Sequence, residues 1–400
     1  MTGLLPLALP AAPPLALYLH FPWCVRKCPY CDFNSHTLHG ELPQQQYLHA
    51  LLADLASQAP LVAGRRVSSV FLGGGTPSLF APEALGRLFE SLRRLLPFEP
   101  GAEITLEANP GTIERGRFAE YRAAGINRVS LGAQSFAPAQ LARLGRIHSS
   151  DDTRVAVAEL HAAGLGNFNL DLMYALPGQD LAGALEDVRI ALQLAPAHLS
   201  HYQLTMEPGT VFGALPPANL PDEDLAAQMM QRCQAELAAG GFQQYEVSAY
   251  ARAGSQCVHN LNYWNFGDYL GAGAGAHGKL SDARHGTIGR SVREREPRRY
   301  LARGAHEPLT LRAVAHADLP FEFMMNALRL VDGFSAARFE ERTGLPWPVV
   351  EAPVTRLVER GLLEHAEGGW RATALGQRFL NDAIAEFLPV RQKIPERPVV

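Results

Sequence analysis

Cysteine, lysine and long apolar runs are all scarce in this chain, and each scarcity excludes something. Its 400 residues include five cysteines, Cys24, Cys28, Cys31, Cys233 and Cys257, too few and too scattered for the disulfide framework of a small secreted domain. No stretch approaches the ~20 apolar residues of a membrane span, so no stable membrane insertion is expected. The 36 basic and 40 acidic residues nearly cancel to a net charge of -4, which gives no footprint for a nucleic-acid partner. Only Lys27, Lys279 and Lys393 are lysine, a bias that carries no mechanism. The apolar opening, Met1 to Leu17, lacks a basic n-region and is broken by Pro6, Pro10, Pro13 and Pro14, unlike a secretory signal. The expectation is a cytoplasmic protein whose thiols stay reduced.

Three of the five cysteines stand together in Tyr18-Leu19-His20-Phe21-Pro22-Trp23-Cys24-Val25-Arg26-Lys27-Cys28-Pro29-Tyr30-Cys31-Asp32-Phe33. Three thiolates spaced C-x3-C-x2-C can hold a four-iron cluster by three corners and leave the fourth iron open to a ligand. The competing reading is structural zinc, which takes four ligands in a closed tetrahedron; the fourth would have to come from His20, Asp32 or His36. The spacing is that of the radical S-adenosylmethionine (SAM) superfamily, and it favours the cluster.

From Leu15 to about Ser248 short apolar runs alternate with longer amphipathic ones, the pattern of a parallel sheet wrapped by helices. Strands are expected at Leu17–His20, Ser69–Leu72, Glu103–Glu107, Arg128–Leu131, Asn167–Asp171 and His198–Leu204. Helices are expected at Pro82–Leu95, Ile113–Ala124 and Asp151–Ala163, the last with Asp151 or Asp152 as N-cap and Gly164 as stop. Six such units make a partial (β/α)6 barrel, an α/β fold. Chemistry in such sheets gathers at the C-terminal strand ends, and the cysteine loop, Gly73-Gly74-Gly75-Thr76-Pro77-Ser78, Glu107, Gln134 and Asp171 all fall there. The division expected is an extension over 1–14, the core over 15–250, a link over 251–310, a mainly helical, winged-helix-like domain over 311–388 and a tail over 389–400. Without a basic patch the winged unit reads as a cover for the barrel, with no nucleic-acid role.

Residues 15–385 resemble the oxygen-independent coproporphyrinogen III oxidase family of radical SAM proteins, and within it the heme-chaperone branch. The resemblance rests on Tyr18 to Cys24, Gly73 to Ser78, Gly132-Ala133-Gln134-Ser135-Phe136, Leu144-Gly145-Arg146-Ile147-His148 and Asn169-Leu170-Asp171-Leu172-Met173. It continues through His259-Asn260-Leu261-Asn262-Tyr263-Trp264 and Phe321-Glu322-Phe323-Met324-Met325-Asn326. It implies that Cys24, Cys28 and Cys31 hold a [4Fe-4S] cluster and that Tyr18, Gly74 and Glu107 serve the SAM bound to it. Tyr30, Gly75, Thr76, Gln134, Arg146, Asp171 and Thr205 match positions lining the rest of the pocket. No residue is singled out as catalytic.

Two departures set the chain apart from the oxidases of the family: Phe33 stands where they carry a further cysteine, and only 17 residues precede Tyr18 where they have a longer arm. The chaperone branch is marked by His-Asn-x-x-Tyr-Trp, here His259 to Trp264, and His259 and Tyr263 are the heme-ligand candidates, with Cys257 close by. The resemblance thus implies a heme chaperone that binds cluster, SAM and heme and passes heme to apoproteins. An electron donor such as flavodoxin or ferredoxin and a homodimer belong to the same expectation. The alternative is radical decarboxylation of coproporphyrinogen III propionates; a zinc-bound regulatory module is the third reading.

Overall fold

A computed structural model describes residues 7–111, 116–304 and 307–389. Six strands, β1 Leu15–Phe21, β2 Val67–Gly74, β3 Phe98–Ala108, β4 Arg128–Gln134, β5 Phe168–Tyr174 and β6 His198–Gln203, pair in chain order, each parallel to the next. They sit where the sequence pattern put them and run longer at most ends. All seven residues of β4 are buried, as a strand covered on both faces requires. The helices α1 Gln44–Gln58, α2 Pro82–Leu95, α3 Phe118–Ala124, α4 Ser150–Ala162, α5 Leu181–Gln193 and α6 Glu223–Ala239 cover the outside. α2 shows why they form. Pro82 opens it, Glu83 lies in its first turn and Arg93 and Arg94 in its last, and Ala84, Leu85, Leu88, Phe89 and Leu92 face the sheet.

Two helix starts differ from expectation. α4 is capped by Ser149, whose hydroxyl accepts from the Asp152 N–H while the Asp152 carboxylate accepts from the Ser149 N–H. Asp152 thus closes a reciprocal box from inside the helix instead of capping it. Of the helix expected over Ile113–Ala124, the described part is Phe118–Ala124, and residues 113–115 lie outside the described residues.

The sheet continues on both sides of this barrel. β7 Gln243–Glu246 and β8 Ala249–Ala251 extend it antiparallel beyond β6. After the helix α7 Val258–Trp264, β9 Asp268–Ala272 returns to the opposite edge and pairs parallel with β1; β10 His277–Asp282, β11 Thr287–Val292 and β12 Arg312–Ala313 follow antiparallel. The order β12-β11-β10-β9-β1-β2-β3-β4-β5-β6-β8-β7 leaves the two end strands unpaired with each other, an open barrel. Within the stretch 251–310, β9, β10 and β11 build one flank of the sheet. Gly271 marks close packing there, since a Cβ on it would lie 1.9 Å from the His277 carbonyl oxygen.

Among the described residues the C-terminal unit has three longer helices, α8 Leu319–Ala327, α9 Ala336–Thr343 and α10 Pro348–Glu359, two short ones, α11 Ala374–Arg378 and α12 Leu380–Ala385, and a hairpin of β13 Leu363–Ala366 and β14 Gly369–Ala372, the make-up of a winged helix. Its core of Phe323, Phe334, Phe339, Val350 and Leu357 also takes in Leu7, Leu9, Phe266 and Ile288. The described part of the N-terminal extension is thus a strap between barrel and C-terminal unit, fixed where the Leu7 N–H donates to the Gly286 carbonyl and the Ala8 N–H to that of Gly344. Of the expected tail, residues 390–400 lie outside the described residues. No helix among the described residues is long and apolar enough to cross a membrane.

Candidate functional site

The cysteine loop leaves β1 and is folded back by a two-residue parallel bridge in which Trp23–Cys24 pairs with His36–Thr37. A turn brings the Cys31 N–H to the Cys28 carbonyl at 3.1 Å, and Lys27 Nζ closes it on the carbonyls of Phe33 and Ser35. Asn34 Nδ2 donates to the carbonyls of Ala274 and Arg295, both at 2.9 Å, anchoring the loop to the turn after β9 and the end of β11. All three cysteines are half-buried and line a cavity of about 480 Å³. Burial raises the Cys24 thiol above its usual value, opposed first by the hydrogen bond from Thr76.

Among the described residues no three His, Cys, Asp or Glu side chains converge on one metal-ion position, whereas a cube held at three separate corners does not require convergence. His20, a candidate fourth zinc ligand, has both ring nitrogens engaged, by the Tyr18 hydroxyl at 3.1 Å and the Asn34 carbonyl at 2.9 Å. Burial lowers its pKa to about 4. Three thiols in one loop facing a roomy cavity fit an iron–sulfur cube and not a closed tetrahedral site.

The glycine motif at the end of β2 makes the wall beside this loop. Gly74 has φ +110°, and a Cβ there would come within 2.3 Å of the His20 ring; one on Gly75 would come within 2.6 Å of the Trp23 carbonyl oxygen. Only glycine fits either position. The Gly74 N–H donates to Glu107 Oε2 at 3.0 Å. Burial, and then the neighbouring Asp171 carboxylate, push the Glu107 carboxyl up to about 8; its charged form is disfavoured there unless a cationic group stands beside it to offset that cost. Arg146 has Nη2 on the Gly132 carbonyl at 2.7 Å, while its Nε is buried without a partner, a donor left over for an anionic ligand group. These features, a close-approach glycine turn, an acid awaiting a cation and an unused guanidinium donor, fit the amino-acid end of SAM.

The cavity lining includes Tyr30, Gly74, Gly75, Glu107, Gln134, Arg146, Asp171 and Thr205 as well as the three cysteines. Thr76 reaches the site through its hydrogen bond to Cys24, and Tyr18 through His20. Gln134, at φ +66°, accepts from the Tyr202 hydroxyl at 2.8 Å. Below the mouth lies a polar interior that the motifs did not indicate. Asn169 Nδ2 donates to Asp171 Oδ1 and to Ser130 Oγ, its Oδ1 meets His198 Nδ1 at 2.7 Å, and His198 Nε2 meets the Tyr245 hydroxyl at 2.7 Å. Arg128, Asn109 and Ser200 also line the cavity. The signal was there: Arg128, Ser130, Gly132 and Gln134, then Asn169 and Asp171, then His198, Ser200 and Tyr202 occupy every second position of apolar strands, which is the inward face.

The heme-ligand candidates lie elsewhere. α7 sits against the starts of β2 and β3, with the Val258 and His259 N–H groups on the Glu103 carboxylate at 3.2 and 3.1 Å. His259 is buried, with Nδ1 on Ser69 Oγ at 3.0 Å and Nε2 on the Tyr263 hydroxyl at 2.8 Å. Burial, and then Arg128, lower its pKa to about 3. Both nitrogens and the tyrosine hydroxyl are engaged, so in this arrangement the segment offers no open axial position. Cys257 is buried with its Sγ 3.5 Å from Glu103.

The family model of the Radical SAM superfamily matches residues 18–190, and that of the HemN C-terminal domain matches residues 314–379. The chain is 47% identical over 376 residues to the heme chaperone HemW of Escherichia coli, covering 94% of this chain and 98% of that protein. With the heme chaperone HemW of Haemophilus influenzae it shares 46% over 386 residues, covering 95% and 99%. With the mitochondrial radical S-adenosyl methionine domain-containing protein 1 of Mus musculus it shares 35% over 401 residues, covering 96% and 90%. Among solved structures, the coproporphyrinogen III oxidase HemN of Escherichia coli superposes with a TM-score of 0.79 at 24% identity, over 94% of this chain and 90% of that one, a likeness of fold. Radical SAM proteins carry a [4Fe-4S] cluster and SAM. On near-full-length identity well above 30%, and with the cysteine loop and glycine wall in place, the chain belongs to the HemW family of the radical SAM superfamily.

Proposed function

We propose that the protein is a cytoplasmic heme chaperone that holds a [4Fe-4S] cluster on Cys24, Cys28 and Cys31, SAM in the strand-end cavity, and heme, which it delivers to apoproteins. The observation that carries this reading is the 47% identity, over 98% of its length, to a protein named a heme chaperone. When bound, the cluster supplies an open iron for the amino and carboxylate groups of SAM and an electron for its sulfonium. The chain's own residues do the rest: Glu107 and the Gly74 turn would face the amino group, Arg146 Nε would offer a donor to the carboxylate, and Gln134 and Asp171 would supply acceptors deeper in the cavity. A one-electron carrier such as flavodoxin or ferredoxin is the proposed reductant, and a homodimer the proposed assembly.

Heme ligation by His259 or Tyr263 requires the hydrogen bond between them to open, because each is committed to the other. The second reading, decarboxylation of coproporphyrinogen III, has the HemN-like fold behind it. Against it stands Phe33, 58% exposed where those oxidases carry a cysteine. The test is anaerobically reconstituted protein given hemin in one arm and coproporphyrinogen III, SAM and reductant in the other. A shifted Soret band without protoporphyrinogen IX is expected. Repeated turnover of the porphyrinogen would replace the chaperone reading with the oxidase one.

A further inference from the structure

Two of the three cysteine sulfurs are joined by a chain of side chains from three different βα units. Thr76, after β2, donates from Oγ1 to Cys24 Sγ at 3.5 Å. Asn109, after β3, donates from Nδ2 to Thr76 Oγ1 at 2.9 Å. Its Oδ1 accepts from Arg146 Nη2, and Arg146, beyond β4, donates from Nη1 to Cys28 Sγ at 3.6 Å. The direction of every bond is forced. A threonine hydroxyl has one proton, here on sulfur, so it must accept from Asn109; a guanidinium can only donate, so the amide oxygen must face it. Asn109 is the joint, since it alone meets both donors. Cys31 stands outside the chain, with Ser35 Oγ of its own loop 3.6 Å away.

We infer that Asn109 is a positioning residue for the iron–sulfur cluster: it aims Thr76 at Cys24 and Arg146 at Cys28 and so sets the cluster's reduction potential. The inference rests on the cluster being held by Cys24, Cys28 and Cys31. Hydrogen bonds to ligating sulfur and a nearby positive charge draw electron density from the thiolates and favour the reduced, more negative cluster. Because the donors are mounted on separate strand ends, the sheet fixes their separation, and a loop motion in the cysteine segment alone cannot carry them along. Losing the joint frees both donors to turn toward water, which leaves the sulfurs more electron-rich and the cluster harder to reduce.

The experiment is a redox titration followed by electron paramagnetic resonance on reconstituted wild type, Asn109→Leu and Thr76→Val, without SAM, after iron and sulfide have been counted in each. Asn109→Leu is expected to shift the reduction equilibrium about tenfold toward the oxidised cluster, which for a one-electron couple is about 59 mV more negative. Thr76→Val, which keeps the side-chain shape and removes the donor to Cys24 and the acceptor for Asn109 Nδ2 while leaving Arg146 on Cys28, should shift it the same way by less. A fully loaded Asn109→Leu protein with the wild-type potential would overturn the inference. Should that variant fail to load, Thr76→Val decides, and an unchanged potential there would overturn it too. Wild-type protein that takes up no iron and sulfide would remove the cluster reading and this inference with it, whereas a loaded wild type with unmoved variants removes the inference alone.

Discussion

A carboxyl pushed up to about 8 by burial and by Asp171 makes Glu107 a liability until a cation meets it. Its folded pKa lies above the ordinary 4.5, so the folded state binds the proton more tightly than the unfolded one. The stability this contributes is complete below about pH 4.5 and is lost as pH rises through about 8. Melting of the cofactor-free protein should therefore fall between about pH 5 and 8 more steeply in the wild type than in Glu107→Gln, with a limiting difference of about 1.4 kcal/mol per pH unit. Parallel melting curves for the two proteins would contradict this assignment. The cysteines divide at the same scale: Cys28→Ser should abolish cluster assembly, counted as iron and sulfide. Cys233→Ser should leave it intact, because Cys233 is buried in α6, where burial pushes its thiol up to about 12. Residues at strand ends were legible because cysteines and glycines leave spacing signatures. Asn109 was not, because a single asparagine has many commoner uses and acquires its role here only from Thr76 and Arg146 on other strand ends.

Among the elements, α7 shows how packing holds the side chains of a motif. Its His-Asn-x-x-Tyr-Trp pattern offers His259 and Tyr263 as heme-ligand candidates, and packing commits His259 to Ser69 and Tyr263, stacks its ring against Phe71 at 5.1 Å, and places the Arg329 guanidinium over Trp264 at 4.4 Å. His259→Ala should cost about 1–3 kcal/mol in denaturant unfolding, through two lost buried hydrogen bonds and their stranded partners, while iron and sulfide content stay at the wild-type level. A variant as stable as the wild type would mean that α7 is not held in this way. Parallel strands were easy to read, as continuous apolar runs bounded by glycine and helix. β9 to β12 escaped because two to six residues, rich in glycine and paired antiparallel, carry no period long enough to recognise, and because β9 joins β1 from across the chain.

Over the whole molecule, the barrel and the C-terminal unit are bound by a shared core in which Leu7 and Leu9, from before the first strand, pack with Phe266, Ile288 and Phe323. No local pattern announces such a contact, since the partners are more than 250 residues apart in sequence; the family resemblance gave the order of the parts but not this seam. The consequence for function is one of access. The cluster loop opens at the strand-end cavity and Asn260 of α7 lines the same cavity, whereas His259 is turned to Ser69 and Tyr263, so iron and sulfide have to be counted beside hemin in every heme measurement. The most direct measurement is heme transfer: cluster-loaded protein is charged with one equivalent of hemin, freed of excess, and mixed with an apo-hemoprotein whose holo form has its own Soret band. The chaperone account predicts that the acceptor's band grows at the expense of the donor's, with the cluster retained. Failure to retain hemin, or retention without any delivery to the acceptor, would contradict it.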